Sequence, residues 1–448
     1  MRARSERFPS IRALALAYRF RESLFLLPLL IVFGGMLLAI LSRAVDRRIG
    51  PSPRFLLKMD SGVATTLLST IAGATITTAG VIFSLTIVSL QLASTQLSPR
   101  VMRWFIRDRL SQVVIGLLVA TFVYCVLSLP DLDGSSPIPA PPVTVTVAVV
   151  LTIVTVITII AHIDHLAHRL EVGQVVREIA AEGSAVIDTV VAAAIDEQPA
   201  PETDMDAPPD ALRLTSPGNG WISRVDTQRL LAAIPPNTKI RLDTRVGAYI
   251  HLGQPLVTIW PPPTHPDRVR HKLTRAIAVS GSRTMQEDID FAFRQLVDIG
   301  LRALSSAIND PTTAVEATLR VGSLLRRLLV VPLPAVAVAG PEGRTLLRPW
   351  GLNAQEYIAH GFDQLRHVAP SQPLVAATIL RVVRMLVVHV EEQGRPEHIP
   401  ALREQADLLM ESLAQAPDLH PRDLARLRAI AANSTDPANH SRRRRTSP

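Results

Sequence analysis

One cysteine, Cys125, is all the chain has, so no intrachain disulfide, cysteine-based metal site or CxxC redox pair can form. Set inside an apolar run, it reads as a small hydrophobe rather than a nucleophile. Aromatic residues are scarce at 4%, which leaves a core to be built from Leu, Val, Ile and Ala. No Walker loop, HExxH, GxSxG, kinase set or GxGxxG occurs. Nothing points to an enzyme, and no cofactor is expected. The largest absence is of charge: Ser61 to Pro99 runs 39 residues without Asp, Glu, Lys or Arg. A spanning helix needs roughly 20 apolar residues, so this stretch alone marks a membrane protein.

Four spans fit the hydropathy: Leu24–Leu41, a second inside Val63–Leu92, Val113–Leu129 closed by Pro130, and Val143–Ala161. Six arginines precede the first run, which imitates a signal peptide. Its length and the spans that follow favour an uncleaved first helix. The loop 131–142 has two Asp and no Lys or Arg, so it is expected outside. The stretch 98–110 carries Arg100, Arg103, Arg107 and Arg109, so it is expected inside, together with the arginine-rich N-terminus. The loop 42–60, with five basic residues, is discordant. Three signals against one put both termini in the cytoplasm.

The expected organisation is a basic N-terminus (1–23), a transmembrane domain (24–170) and a membrane-proximal helix (171–195). An acidic, proline-rich linker follows (196–213). Next come a small β module (214–262), a mainly helical cytoplasmic domain (263–433) and a disordered basic tail (434–448). The fold class is thus a polytopic α-helical membrane protein with a cytoplasmic α+β region. Candidate helices in its last part are 288–307, 311–329, 354–368, 372–392, 398–415 and 421–432. A strand pair is expected within 330–347, turning at Gly340-Pro-Glu-Gly.

Within the second span, Thr66, Thr70, Gly73, Thr77, Gly80, Ser84, Gln91, Ser94 and Ser98 recur at steps of four and three, with Ile87 in the one apolar place. They form one narrow helix face. Hydroxyls and an amide on such a face suit a pore or cavity lining. Small residues at the same spacing suit close helix packing. Both readings stand. After it, Arg100, Arg103, Trp104 and Arg107 alternate with apolar residues as in an interfacial helix. No span carries an acid or base, which weighs against active transport.

His162, His165 and His168 fall at steps of three, where a helical zinc pair uses four. They read as interfacial polar groups, with a pH-sensitive cluster as the alternative. Asp310-Pro311 reads as a helix cap followed by its first residue. The run from Arg245 to Leu256 resembles the second half of a barrel-sandwich or lipoyl-like fold, with Val246, Gly247, Ile250, Gly253, Pro255 and Leu256 in place. No Met-Lys-Met hairpin precedes it, so covalent biotin or lipoate is not expected.

The segments 79–108 (AGVIFSLTIVSLQLASTQLSPRVMRWFIRD), 112–129 (QVVIGLLVATFVYCVLSL) and 295–314 (QLVDIGLRALSSAINDPTTA) resemble hallmark blocks of the bacterial predicted membrane proteins called domain of unknown function 2254. The resemblance runs from the first span to about Gln415. It implies a polytopic inner-membrane protein with a cytoplasmic C-terminal region, and it brings no catalytic residue. Ser305-Ser306-Ala307 stands where members carry Ser-Pro-Gly, which removes the glycine a tight turn there would use. The leading functional expectation is an oligomeric channel or passive pathway lined by the second span. A membrane-anchored scaffold or sensor, with a cytoplasmic domain that binds a partner or small ligand, is the alternative. Expected partners are the bilayer, anionic lipids for the Arg442–Arg445 tail, and further copies of the chain. The basic charge reads as topology and lipid contact, so no nucleic-acid partner is expected.

Overall fold

The computed structural model describes residues 26–48, 56–96, 108–132, 140–169, 172–201 and 204–435. The chain divides into two compact units, Met1–Glu171 and Val172–Pro448.

The first unit holds α1 (Leu26–Asp46), α2 (Ser61–Gln96), α3 (Arg109–Ser128) and α4 (Pro142–Arg169). The other three helices all pack on α3, which buries Val114, Leu118, Tyr124 and Cys125. Small residues set the closeness of approach. A Cβ at Gly35 would sit 3.0 Å from the Ala120 Cβ, and one at Gly116 would sit 2.9 Å from the Pro28 Cα. Several buried polar groups inside the bundle are paired, as a medium without water favours. The Tyr124 hydroxyl lies 3.0 Å from both the Ser42 hydroxyl and the Thr144 carbonyl. Asp46, on the last turn of α1, accepts from the Val143 and Thr144 amides at 2.9 Å and from the Thr144 hydroxyl at 2.6 Å. It therefore caps α4 from a different helix.

At 1.5 Å per residue the 36 residues of α2 extend about 54 Å, well beyond a hydrocarbon layer of about 30 Å. Its packed face is Ala64, Leu68, Ile71, Ala72, Ala79 and Ile82.

The second unit begins with α5 (Val172–Ile195) and continues through nine strands: β1 (Gln198–Pro199), β2 (Leu212–Thr215), β3 (Gly220–Val225), β4 (Lys239–Leu242), β5 (Tyr249–Ile250), β6 (Pro255–Trp260), β7 (Ile277–Ser280), β8 (Ala337–Ala339) and β9 (Thr345–Leu347). Two short helices, α6 (Thr227–Ala233) and α7 (Pro266–Leu273), interrupt them. The strands form a six-stranded sheet, β1-β8-β9-β4-β6-β2, and a three-stranded sheet, β5-β3-β7. All neighbours are antiparallel except β4 and β9. Ile222, Ile240, Ile250, Val257, Ile259, Ile277, Val338 and Leu346 bring both sheets into one core, joined by Leu230, Val269 and Leu273 of the short helices. The β region thus draws strands from 198 to 347, beyond the 214–262 expected. The span 196–213, read as linker, supplies β1 and the start of β2.

The helices that follow are α8 (Ile289–Ala303), α9 (Pro311–Leu328), α10 (Ala354–Val368), α11 (Pro373–Glu392), α12 (Ile399–Ala414) and α13 (Pro421–Thr435). Their starts are chemically specified. Asp288 accepts from the Phe291 amide, and Asn353 and Glu356 form a capping box. Buried Phe293, Leu296, Val321, Leu325, Phe362, Leu365, Val383 and Leu409 fill the space between them.

Among the described residues, five helices are long and apolar enough to cross a membrane: α1 to α4 and, in the second unit, α11. The sequence suggested four. Of the five, α11 is the most buried among its neighbours.

Candidate functional site

The polar stripe of α2 lies on the outside of its unit. Thr66, Thr70, Gly73, Thr77, Gly80, Ser84 and Gln91 are all exposed, and nothing lies within 4 Å of a Cβ built at Gly73 or Gly80. Packing within the first unit is therefore not what the stripe does. The Thr66, Thr70 and Thr77 hydroxyls donate to the carbonyls four residues back, at 3.0, 2.7 and 2.8 Å, so they carry little unsatisfied polarity. The side chain of Ser94 and the whole of Ser98, Arg100, Arg103, Trp104 and Arg107 lie outside the described residues.

His165 approaches Asp108 at 3.2 Å, and Asp108 caps α3 through the Leu110 and Ser111 amides. His162 is fully buried, with no hydrogen-bond partner for either ring nitrogen among the described residues. Among the described residues no three His, Cys, Asp or Glu side chains gather to hold a metal. Cys125 is buried. Asp310 caps α9, accepting from the Thr312 and Thr313 amides at 3.0 and 3.1 Å. A hydrogen bond from the Thr313 hydroxyl, foremost, holds its carboxyl below the usual range. The turn before it forms without glycine because Asn309 takes the left-handed conformation, at φ 48°, which Asn tolerates well.

The sequence missed a cavity of about 860 Å³ within the second unit, a size suited to a small organic ligand. Its lining includes apolar side chains, Val190 and Ala193 of α5, Leu242, Leu328, Val331 and Leu333. It also includes the polar and charged Arg224, Arg245, Glu287, Asp288, Arg348 and Tyr357. These come from the ends of β3, β4 and β9 and from the starts of α8 and α10, so several element termini converge on one space.

Ion pairs fix the charged part of the lining. Arg283 holds Asp288 by two bonds, 2.6 and 3.0 Å, and reaches Asp290 at 2.8 Å. His360 meets Asp290 at 2.6 Å, and Arg294 reaches the same carboxylate at 3.5 Å. Both carboxylates are 2% exposed. The Arg283 guanidinium also stacks 5.6 Å from the Trp221 ring centre and 5.2 Å from that of Phe291. Asp290 is buried, but its hydrogen bonds from His360 and Arg283 outweigh that and hold it far below the usual carboxylate range. Arg348 grips Glu197 through two nitrogens, at 2.9 and 2.5 Å. Arg224 pairs with Glu287 at 2.9 Å, and burial pushes the Glu287 carboxyl up.

Arg245 differs from these. Its Nη1 donates to the Val246 carbonyl at 3.3 Å, and no carboxylate lies within ion-pair distance among the described residues. Burial, foremost, raises the Tyr357 hydroxyl above its usual range, with Asp288 and Asp290 acting the same way and the Arg245 charge opposing them. Arg245 therefore stands near the first turn of α10, whose Ala354 and Gln355 also line the cavity.

A profile of predicted membrane proteins, DUF2254, matches residues 21–385. The chain belongs to that family. The DUF2254 chain is 30% identical over 385 residues to the uncharacterized protein Rv1290c of Mycobacterium tuberculosis H37Rv, covering 84% of this chain and 73% of that protein. The uncharacterized protein Mb1321c of Mycobacterium bovis matches at the same identity and coverage. No solved structure matches.

Proposed function

We propose that this DUF2254 chain is a membrane-anchored ligand-binding protein. Its helices α1 to α4 hold it in a bacterial inner membrane, and residues 172–435, on the cytoplasmic side, take a small molecule. The observation that carries the reading is the cavity, lined by both apolar and charged side chains and built wholly within one unit. Loop charge supports the orientation: arginines at 98–110 inside, two Asp and no base at 131–142 outside. Counting four spans follows from α11, which carries Arg381 and Arg384 and buries Val375, Ile379, Val383, Leu386 and Val390 as a core helix does. The activity proposed is binding, not turnover.

The test is organic extraction of the purified full chain followed by mass spectrometry. One small molecule is expected with the native protein and lost in Ala193→Trp, which fills the cavity from an exposed helical position. A native protein that releases no compound, or a variant that keeps it at an unchanged melting temperature, sinks the reading.

A second reading is favoured by the exposed polar stripe of α2, with its open glycines. In an assembly of copies the stripe would face other chains and line a passive path. Gly80→Leu is then expected to break the oligomer and Ser84→Leu to change ion flux from liposomes. Thr77→Val, whose hydroxyl is already satisfied by Gly73, should leave assembly intact. A monomeric native protein in nanodiscs removes this reading.

A further inference from the structure

We propose that the cavity of the second unit takes a carboxylate-headed molecule with an apolar body, its head on Arg245. This rests on the ligand-binding reading above and adds the chemistry of the ligand.

Of the acids on the lining, all but Asp196 are already engaged, Glu397 with Arg395 at 3.6 Å. Glu197 is held bidentately by Arg348, and Glu287 pairs with Arg224. Asp288 is locked to Arg283, and Asp226 caps α6 and pairs with Arg229 at 3.2 Å. Asp196 is exposed to solvent. Arg245 is the half-buried cation left over, with most of its five N–H groups unused. A planar guanidinium fork matches a carboxylate bidentately. The first turn of α10 already holds its own carboxylate, Glu356, which accepts from the Asn353 amide at 2.8 Å, so the head is assigned to Arg245 and not to that helix start. The lining also carries Val190, Val331 and Leu333, which suit an apolar body. No Phe or Trp is among the described lining residues, so an aliphatic body fits better than a stacked base.

The experiment is calorimetry of the full chain in phosphatidylcholine nanodiscs, with empty nanodiscs subtracted. The probes are octanoate, octylamine and acetate. Octanoate is expected to bind saturably, with octylamine and acetate each at least about tenfold weaker. Arg245→Gln is expected to weaken octanoate about tenfold or more, the scale of a lost charge-assisted pair. Arg245→Lys, which keeps the charge and loses the fork, should fall between. Ala193→Trp should abolish binding. Octylamine binding as tightly as octanoate, or unchanged affinity in Arg245→Gln, overturns the carboxylate assignment and leaves the cavity reading standing. If no probe shows binding that Ala193→Trp removes, both fall.

Discussion

Asp290→Ala is expected to destabilise the second unit by about 3–5 kcal/mol, the scale of breaking a buried ionic network by removing one partner. Asp290 is 2% exposed and faces Arg283, Arg294 and His360. Its loss leaves the Arg283 charge with one carboxylate where it had two. In a unit of this size the melting temperature should fall by about 10 °C. Intrinsic fluorescence can follow it, because Trp221 lies 5.6 Å from the Arg283 guanidinium. The pH dependence has a definite sign. Asp290 has a folded pKa below its unfolded value, so its contribution is full above about pH 4 and is lost as pH falls through the folded pKa. The gap between native protein and variant should shrink on acidification below about pH 4. A gap that widens there would contradict the assignment.

Gly247→Ala is expected to cost about 3 kcal/mol, and Gly253→Ala only about 1 kcal/mol. The two glycines share a left-handed backbone, φ 80° and 82°, so the backbone penalty is the same. Their surroundings differ. A Cβ at Gly247 would lie 2.7 Å from both the Asp288 Cγ and an Arg283 nitrogen, whereas nothing lies within 4 Å at Gly253. The difference between the two variants therefore isolates displacement of the Arg283–Asp288 pair, which caps α8 and forms part of the cavity wall. Thermal melts of the two proteins decide it, and equal shifts would remove the crowding argument.

What could be read from the sequence was what is local. The α10 range, the Asp310 cap and the hairpin at Gly340-Pro-Glu-Gly each depend on a few adjacent residues. The extent of the sheets does not. Strand β4 pairs in parallel with β9, Ile240 facing Leu346, and three-residue strands leave no alternation to detect. The cavity was hidden for the same reason: its lining runs from Thr189 to His398. Asp288 was legible as the edge of a helix and Arg245 as part of a turn, but neither pattern says that the two share a space. The α2 stripe was legible as a stripe. Periodicity places residues on a face and is silent on what that face meets, so Gly73 and Gly80 could be read equally as contacts or as open positions.

The cap that Asp46 lends to α4 bears on how the chain is made. Asp46 and Val143 stand 97 residues apart, so α1 is synthesised long before its acceptor has a donor to hold. Until the fourth helix emerges, a carboxylate at the end of α1 and the Tyr124 hydroxyl of α3 both lack the Thr144 groups that satisfy them. A chain ending before Thr144 would therefore leave both groups without those partners, so the latch between α1, α3 and α4 closes only when α4 is present.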